Sequence, residues 1–298
     1  MEKTGRKGAA REKRVVGMQA ERGKIAERTV YKTVDGEELT ALIYRRPRKE
    51  GDGLSPVCFW FHGGSWTGGH PWEPELLPLF LRRLNDLGVA VISCQYRLCS
   101  ETNHWMEMMA DCSDFIRFFA ARAGELGLDM DRVFTCGASA GGHLSLMEAL
   151  AGDRFGQKGT AFPKIRFVVD LCGPVTLGER LNWEHVKNPE KHYRLLFGPD
   201  PSGWRSSGRQ ISPLYIAEEL PPAALMPVIA VHSTHDELVS PRQPERLRDC
   251  WERAGREFRL VVVQNGSHAF GNIPGLPPAE PAQDELQRIL GDFVEAHL

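Results

Sequence analysis

The chain has no uninterrupted apolar run of about 18 residues, the length needed to span a bilayer core, so a membrane-crossing helix is not expected. It has no charge excess either. The 37 Lys and Arg against 39 Asp and Glu leave a formal net charge of −2, which gives no overall reason to expect a nucleic-acid partner. None of the seven cysteines is spaced as Cys-x-x-Cys, and no Cys/His spacing suggests zinc. The odd count, with Cys58, Cys94, Cys136 and Cys172 in or beside apolar runs, reads as buried free thiols in a reducing, cytoplasmic setting. Internal repeats are absent. Large apolar residues are almost absent from Met1 to Arg28, where nine Lys or Arg stand against four Glu. Such a segment cannot bury enough surface to fold alone and has no apolar core of a secretory signal, so it is expected to be a flexible charged tail.

What remains, residues 29–298 with 42% hydrophobic content over the whole chain, suits one domain with a large core. Two antiparallel strands near 30–34 and 39–44, turning at Asp35-Gly36, precede strands near 57–61, 89–94, 132–136, 166–171, 227–232 and 258–263. Helical patterns near 73–86, 107–123, 140–151, 242–255 and 281–297 separate them. This alternation predicts a mainly parallel sheet of about eight strands with helices on both faces, and a ligand site at the strand C-termini. One interval, about 173–225, breaks the rhythm with an insert after the sixth strand, placed where it can cover the site.

Chemistry enters at Cys136-Gly137-Ala138-Ser139-Ala140-Gly141-Gly142-His143, between the strand ending at Thr135 and a helical pattern. Gly137 and Gly141 flank Ser139 as G-x-S-x-G, the spacing of a serine held on a sharp strand-to-helix turn, where neighbours without Cβ atoms are needed. Ser139 is the candidate nucleophile. Upstream, the strand Val57–Phe61 runs into His62-Gly63-Gly64-Ser65-Trp66. Consecutive glycines let backbone N–H groups point into a site that stabilises an oxyanion, which makes the amides of Gly64, Ser65 and Ala140 the candidate donors. Phosphate binding fits less well, because no Lys-Ser/Thr follows and the spacing is not G-x-G-x-x-G.

The partners of such a serine follow it as acid and then histidine, each on a loop after a later strand. Asp236 stands on the loop after Pro227–His232, with Glu237 as nearest rival and Asp170 as a weaker one. His268 stands after Phe258–Val263, where a general base belongs, since imidazole can take the serine proton and return it to the leaving group. Among the other histidines, His232 reads as a hydrogen-bonded core residue, His62 as a brace for its own glycine loop, and His143 as packing beneath the nucleophile helix or a pocket residue.

The segments His62-Gly63-Gly64-Ser65-Trp66, Gln95-Tyr96-Arg97-Leu98, Gly137–Leu144, Ile211-Ser212-Pro213-Leu214 and His235–Val239 resemble the α/β-hydrolase esterases of the acetyl-xylan and feruloyl esterase-like branch. That branch is related to the hormone-sensitive-lipase and kynurenine-formamidase groups. The resemblance covers roughly residues 30–298. It implies an α/β-hydrolase fold, carboxylic ester hydrolysis by Ser139, Asp236 and His268, and no metal or organic cofactor. Ala138 and Ser65 depart from the lipase group, which usually carries Asp and a third Gly there, and this favours small acyl or aryl esters over long-chain lipids.

Aromatic residues of the insert, Trp183 and Trp204, are candidates for the pocket wall together with Trp66 and His143. Two other functions fit the same motifs. An amidase or formamidase could use the same triad. A hydrolase fold can also serve as a small-molecule receptor without turnover, because fold does not fix chemistry.

Overall fold

The structure is a computed structural model that describes residues 27–47, 51–72, 76–157, 159–177 and 189–298. Eight strands form one sheet in the order β1-β2-β4-β3-β5-β6-β7-β8. They are β1 (Glu27–Val34), β2 (Glu37–Tyr44), β3 (Ser55–Phe61), β4 (Ala90–Cys94), β5 (Leu128–Ala138), β6 (Ile165–Leu171), β7 (Val228–Ser233) and β8 (Phe258–Val263). The first two pair antiparallel with each other and, through β2, with β4. Every other neighbouring pair is parallel. This is the α/β-hydrolase architecture. Because β1 begins at Glu27, the last two residues of the expected tail are strand; residues 1–26 lie outside the described residues.

Strands covered on both faces read as unbroken apolar runs, since neither side can afford water. In β3, Val57, Phe59 and Phe61 enter one core layer and Cys58 and Trp60 the other, as the twofold strand period requires. Helices α1 (Leu77–Asp86) and α9 (Gln283–His297) pack together over the Cys58 and Trp60 face. The opposite face is covered by α2 (Trp105–Ala121), α4 (Ala140–Ala151) and α8 (Arg242–Arg253), with the short α3 (Ala123–Leu126) leading into β5. Edge-on aromatic pairs lock this layer: Phe115 meets Phe59 at 5.2 Å and Tyr31 at 5.4 Å between ring centroids. Helix α2 starts two residues before the expected 107, where the His104 N–H donates to Glu107 Oε2 at 3.0 Å and closes the first turn.

A charged knot ties α2 to the loop after β4. Asp111, fully buried, accepts from Arg97 Nε at 2.7 Å and Nη2 at 2.9 Å and from Lys32 Nζ at 2.8 Å. The insert, in which the sequence shows no strand, contains α5 (Pro189–Phe197), α6 (Trp204–Gln210) and α7 (Pro213–Glu219) among its described residues. Ser212 anchors it by accepting from the Leu177 N–H at 2.7 Å. No described helix is long and apolar enough to cross a membrane.

Candidate active site

The turn from β5 into α4 holds Ser139 at φ 55°, ψ −118°, a conformation L-residues avoid and retain only where the surroundings enforce it. Two hydrogen bonds enforce it here. The Ser139 N–H donates to the Leu171 carbonyl of β6 at 2.7 Å, and the His143 N–H donates to the Ser139 carbonyl at 3.1 Å. The flanking glycines are steric necessities: a Cβ on Gly141 would overlap the Phe61 carbonyl, and one on Gly137 would overlap the Gly141 carbonyl. Strand β3 and helix α4 can therefore touch, which leaves Ser139 partly exposed at the sheet edge.

The oxyanion-type loop lies beside it. The Gly63 backbone packs against Ala138 and Ser139. Gly64, Ser65 and Trp66 follow with φ of 114°, 52° and 62°, three consecutive left-handed residues of which two carry side chains. Gly64 and Ser65 are exposed. The loop is held from outside by a relay the sequence did not show. His192, on α5, donates from Nε2 to the Ser65 carbonyl at 2.8 Å. Trp66 Nε1 donates to His143 Nδ1 at 3.2 Å, and His143 Nε2 donates to the Ile211 carbonyl at 2.6 Å. The two contacts on His143 fix its tautomer, with the proton on Nε2. Burial pushes the His143 pKa down to about 4 against the opposing pull of the Ile211 bond. The ring therefore stays neutral.

That relay contains two of the candidate pocket-wall residues. His143 is 0% and Trp66 2% exposed, and both pack behind the Gly64–Trp66 loop. Trp204 stacks on Tyr193 at 5.7 Å and donates to the Gly198 carbonyl at 2.8 Å, so its ring is engaged within the insert. Trp183 lies outside the described residues.

Asp236 and His268 meet at the ends of β7 and β8. His268 Nδ1 donates to Asp236 Oδ2 at 2.8 Å. Oδ1 of the same carboxylate accepts from the N–H groups of Leu238 at 2.8 Å and Val239 at 2.7 Å. His232 Nε2, which donates to the Val239 carbonyl at 2.8 Å, also lies 3.2 Å from Oδ2. Burial raises the carboxyl pKa, but the bonds from His232 and His268 outweigh it and hold Asp236 well below the usual carboxylate range. Asp236 is thus a fixed anion. The rivals take other tasks: Glu237 Oε2 accepts from the His268 backbone N–H at 3.0 Å and anchors the loop, while Asp170 is buried and accepts from the Gly173 N–H at 2.9 Å. Burial raises the Asp170 pKa to about 7, against the pull of His232 and that N–H. A neutral or half-ionised acid is poorly suited to serve as a permanent counter-charge to an imidazole.

The other imidazole nitrogen of His268 faces the residue after β6. Leu171 carries the carbonyl bonded by Ser139, and the next residue, Cys172, has its Sγ 3.9 Å from His268 Nε2. Among the described residues no hydrogen bond yet joins Nε2 to the Ser139 hydroxyl, and such bonds commonly tighten only when substrate is bound. Sequence order placed Ser139, Asp236 and His268 on loops after β5, β7 and β8, where the structure has them. The clasp through His192 and the proximity of Cys172 had no local signal.

The BD-FAE family model matches residues 43–250, more than two thirds of the chain. The chain belongs to the BD-FAE family of α/β-hydrolase esterases. A probable isoprenylcysteine α-carbonyl methylesterase of Oryza sativa subsp. japonica is 26% identical over 246 residues, 80% of this chain and 56% of the rice protein. An arylesterase of Saccharolobus solfataricus is 29% identical over 180 residues, 54% of this chain and 56% of the archaeal one. The chain spans about half the length, or less, of these curated relatives. The propionate-bound esterase Est2 of Thermogutta terrifontis superposes with a TM-score of 0.70 at 23% identity, covering 90% of this chain and 93% of that one. At that identity the likeness establishes the fold, and BD-FAE membership establishes the family.

Proposed function

We propose that this BD-FAE protein is a serine carboxylesterase that cleaves small acyl or aryl esters through an acyl-enzyme. Ser139 attacks the ester carbonyl while His268 Nε2 takes its proton. Asp236 stabilises the imidazolium and keeps the proton on Nδ1. The tetrahedral oxyanion rests on the amides of Gly64, Ser65 and Ala140, and His268 then protonates the departing alcohol. Water, deprotonated in turn by His268, releases the acid and restores the serine.

The observation that carries this reading is the 2.8 Å bond from His268 to an Asp236 carboxylate kept ionised, together with a serine held on a left-handed turn at the end of β5. The esterase names among the relatives support the reaction class. The departures of Ala138 and Ser65 from the lipase pattern support a small acyl group over a long chain. The test is turnover of p-nitrophenyl acetate by the wild type and by Ser139→Ala. Hydrolysis by the wild type that falls at least about 1,000-fold in the variant supports the assignment. Equal rates reject it.

A further inference from the structure

Beside the proposed catalytic pair lies a thiol that ester hydrolysis does not use. Cys172 follows β6, is fully buried and adopts φ 52°, with its N–H donating to the Val231 carbonyl at 2.9 Å. That backbone turns Sγ to within 3.9 Å of His268 Nε2. Among the described residues, Cys172, Asp236 and His268 place one potential ligand atom each within 4.8 Å of one another.

We propose that Cys172 and His268 form a binding site for a thiophilic divalent cation, zinc or cadmium, whose occupancy blocks the site. Zinc binds sulfur at about 2.3 Å and imidazole nitrogen at about 2.0–2.1 Å, which at a near-tetrahedral angle places the two ligands about 3.5 Å apart. The observed 3.9 Å reaches this with a contraction of about 0.4 Å, within the reach of side-chain rotation. Two features prepare the site. His268 donates Nδ1–H to Asp236, the carboxylate–histidine arrangement that orients an imidazole for metal binding through its other nitrogen. Asp236 is already committed on both oxygens to His268, His232, Leu238 and Val239, so it remains outside the coordination shell, and water fills the other positions.

On binding, the Cys172 thiol gives its proton to solvent and the thiolate and the Nε2 lone pair go to the ion. A lone pair held by a metal cannot accept the Ser139 proton. The kinetic consequence rests on the esterase reading; the binding does not. Thiolate ligation selects zinc or cadmium over magnesium, calcium or manganese.

The experiment titrates the full chain with CdCl2, following the thiolate-to-cadmium charge-transfer absorption, and in parallel measures p-nitrophenyl acetate hydrolysis with and without ZnCl2. Each variant is compared with itself, metal-free against metal-loaded. The wild type should show the band with about one ion per chain and lose at least about tenfold of its rate at micromolar zinc, while MgCl2 leaves the rate unchanged. Cys172→Ala and the size-preserving Cys172→Ser should lack both the band and the zinc sensitivity. A band that persists in both variants would assign the ion elsewhere, for example to the buried and mutually interacting Cys94 and Cys112, and would overturn the proposal. So would a band without loss of rate. A chain with no metal-free hydrolysis sinks the esterase reading while the cadmium band still decides the site.

Discussion

The Nε2 atom of His192 sits 2.8 Å from the carbonyl oxygen of Ser65, joining the insert helix to the strained loop that presents the candidate oxyanion donors. Two consecutive non-glycine residues in the left-handed region, Ser65 and Trp66, do not hold that shape unaided. His192, Trp66–His143 and the Cys99 N–H, which donates to the Trp66 carbonyl at 2.8 Å, supply the restraint. His192 is accordingly a positioning residue.

Its removal should act on rate rather than on binding. Loss of a direct oxyanion donor costs about 100- to 1,000-fold, and an indirect brace should cost less, about 3- to 10-fold in kcat for p-nitrophenyl acetate with KM nearly unchanged. His192→Ala measures this, and His192→Gln, which keeps a donor, should recover part of the loss. A change confined to KM would assign His192 to substrate contact.

Asp236→Asn should lower kcat by about 1,000- to 10,000-fold while the protein stays folded. The amide fills the same space but removes the anion that fixes the His268 tautomer and offsets its charge. Circular dichroism and kcat measured on the same preparation check the two halves of this expectation.

A buried acid away from the site makes stability depend on pH. Glu148, on α4, accepts from Ser113 Oγ at 2.9 Å and 3.1 Å. Burial pushes its pKa up from 4.5 to about 8, against the opposing Ser113 bond and Arg117 charge. Between those values the folded state holds a proton the unfolded state has released, so stability falls as pH rises through the window and the loss is complete above about 8. Glu148→Gln keeps a neutral side chain and should match the wild type near pH 5 yet exceed it at pH 9 by about 1–3 kcal/mol. Urea midpoints at the two pH values test this. Asp170, also raised, leaves the variant some residual slope of the same sign.

Asp111→Ala should destabilise the fold by about 2–4 kcal/mol, because it leaves Arg97 facing a buried gap without its anion and Lys32 with Asp114 alone. The readout is the urea midpoint, and a shift under about 0.5 kcal/mol would show that solvent already screens the knot.

Much of the molecule was legible because the strands that carry the site are local and strongly patterned. Phe59, Trp60 and Phe61 announce a buried strand, and the loops bearing Ser139, Asp236 and His268 follow such strands in order. Element ends were less legible. Helix α2 begins at Trp105, two residues before the expected start, with Trp105, Met108, Met109 and Cys112 on one buried face and its first turn closed by the His104 N–H donating to Glu107. The insert helices were missed because they are short and held by tertiary contacts, such as Ser212 to Leu177, more than by their own pattern. The roles of Trp66, His143 and His192 arise from partners 77 and 127 positions apart, which no local motif encodes.

The central claim is that Ser139 becomes a nucleophile through His268, and covalent capture tests it most directly. Wild-type protein and His268→Ala are treated with a fluorophosphonate probe, and the modified peptide is located by mass spectrometry. The account predicts one probe per wild-type chain, attached to Ser139, and a labelling rate at least about 100-fold lower in the variant. Modification at another residue, or equal labelling of Ser139 without the imidazole, would contradict it.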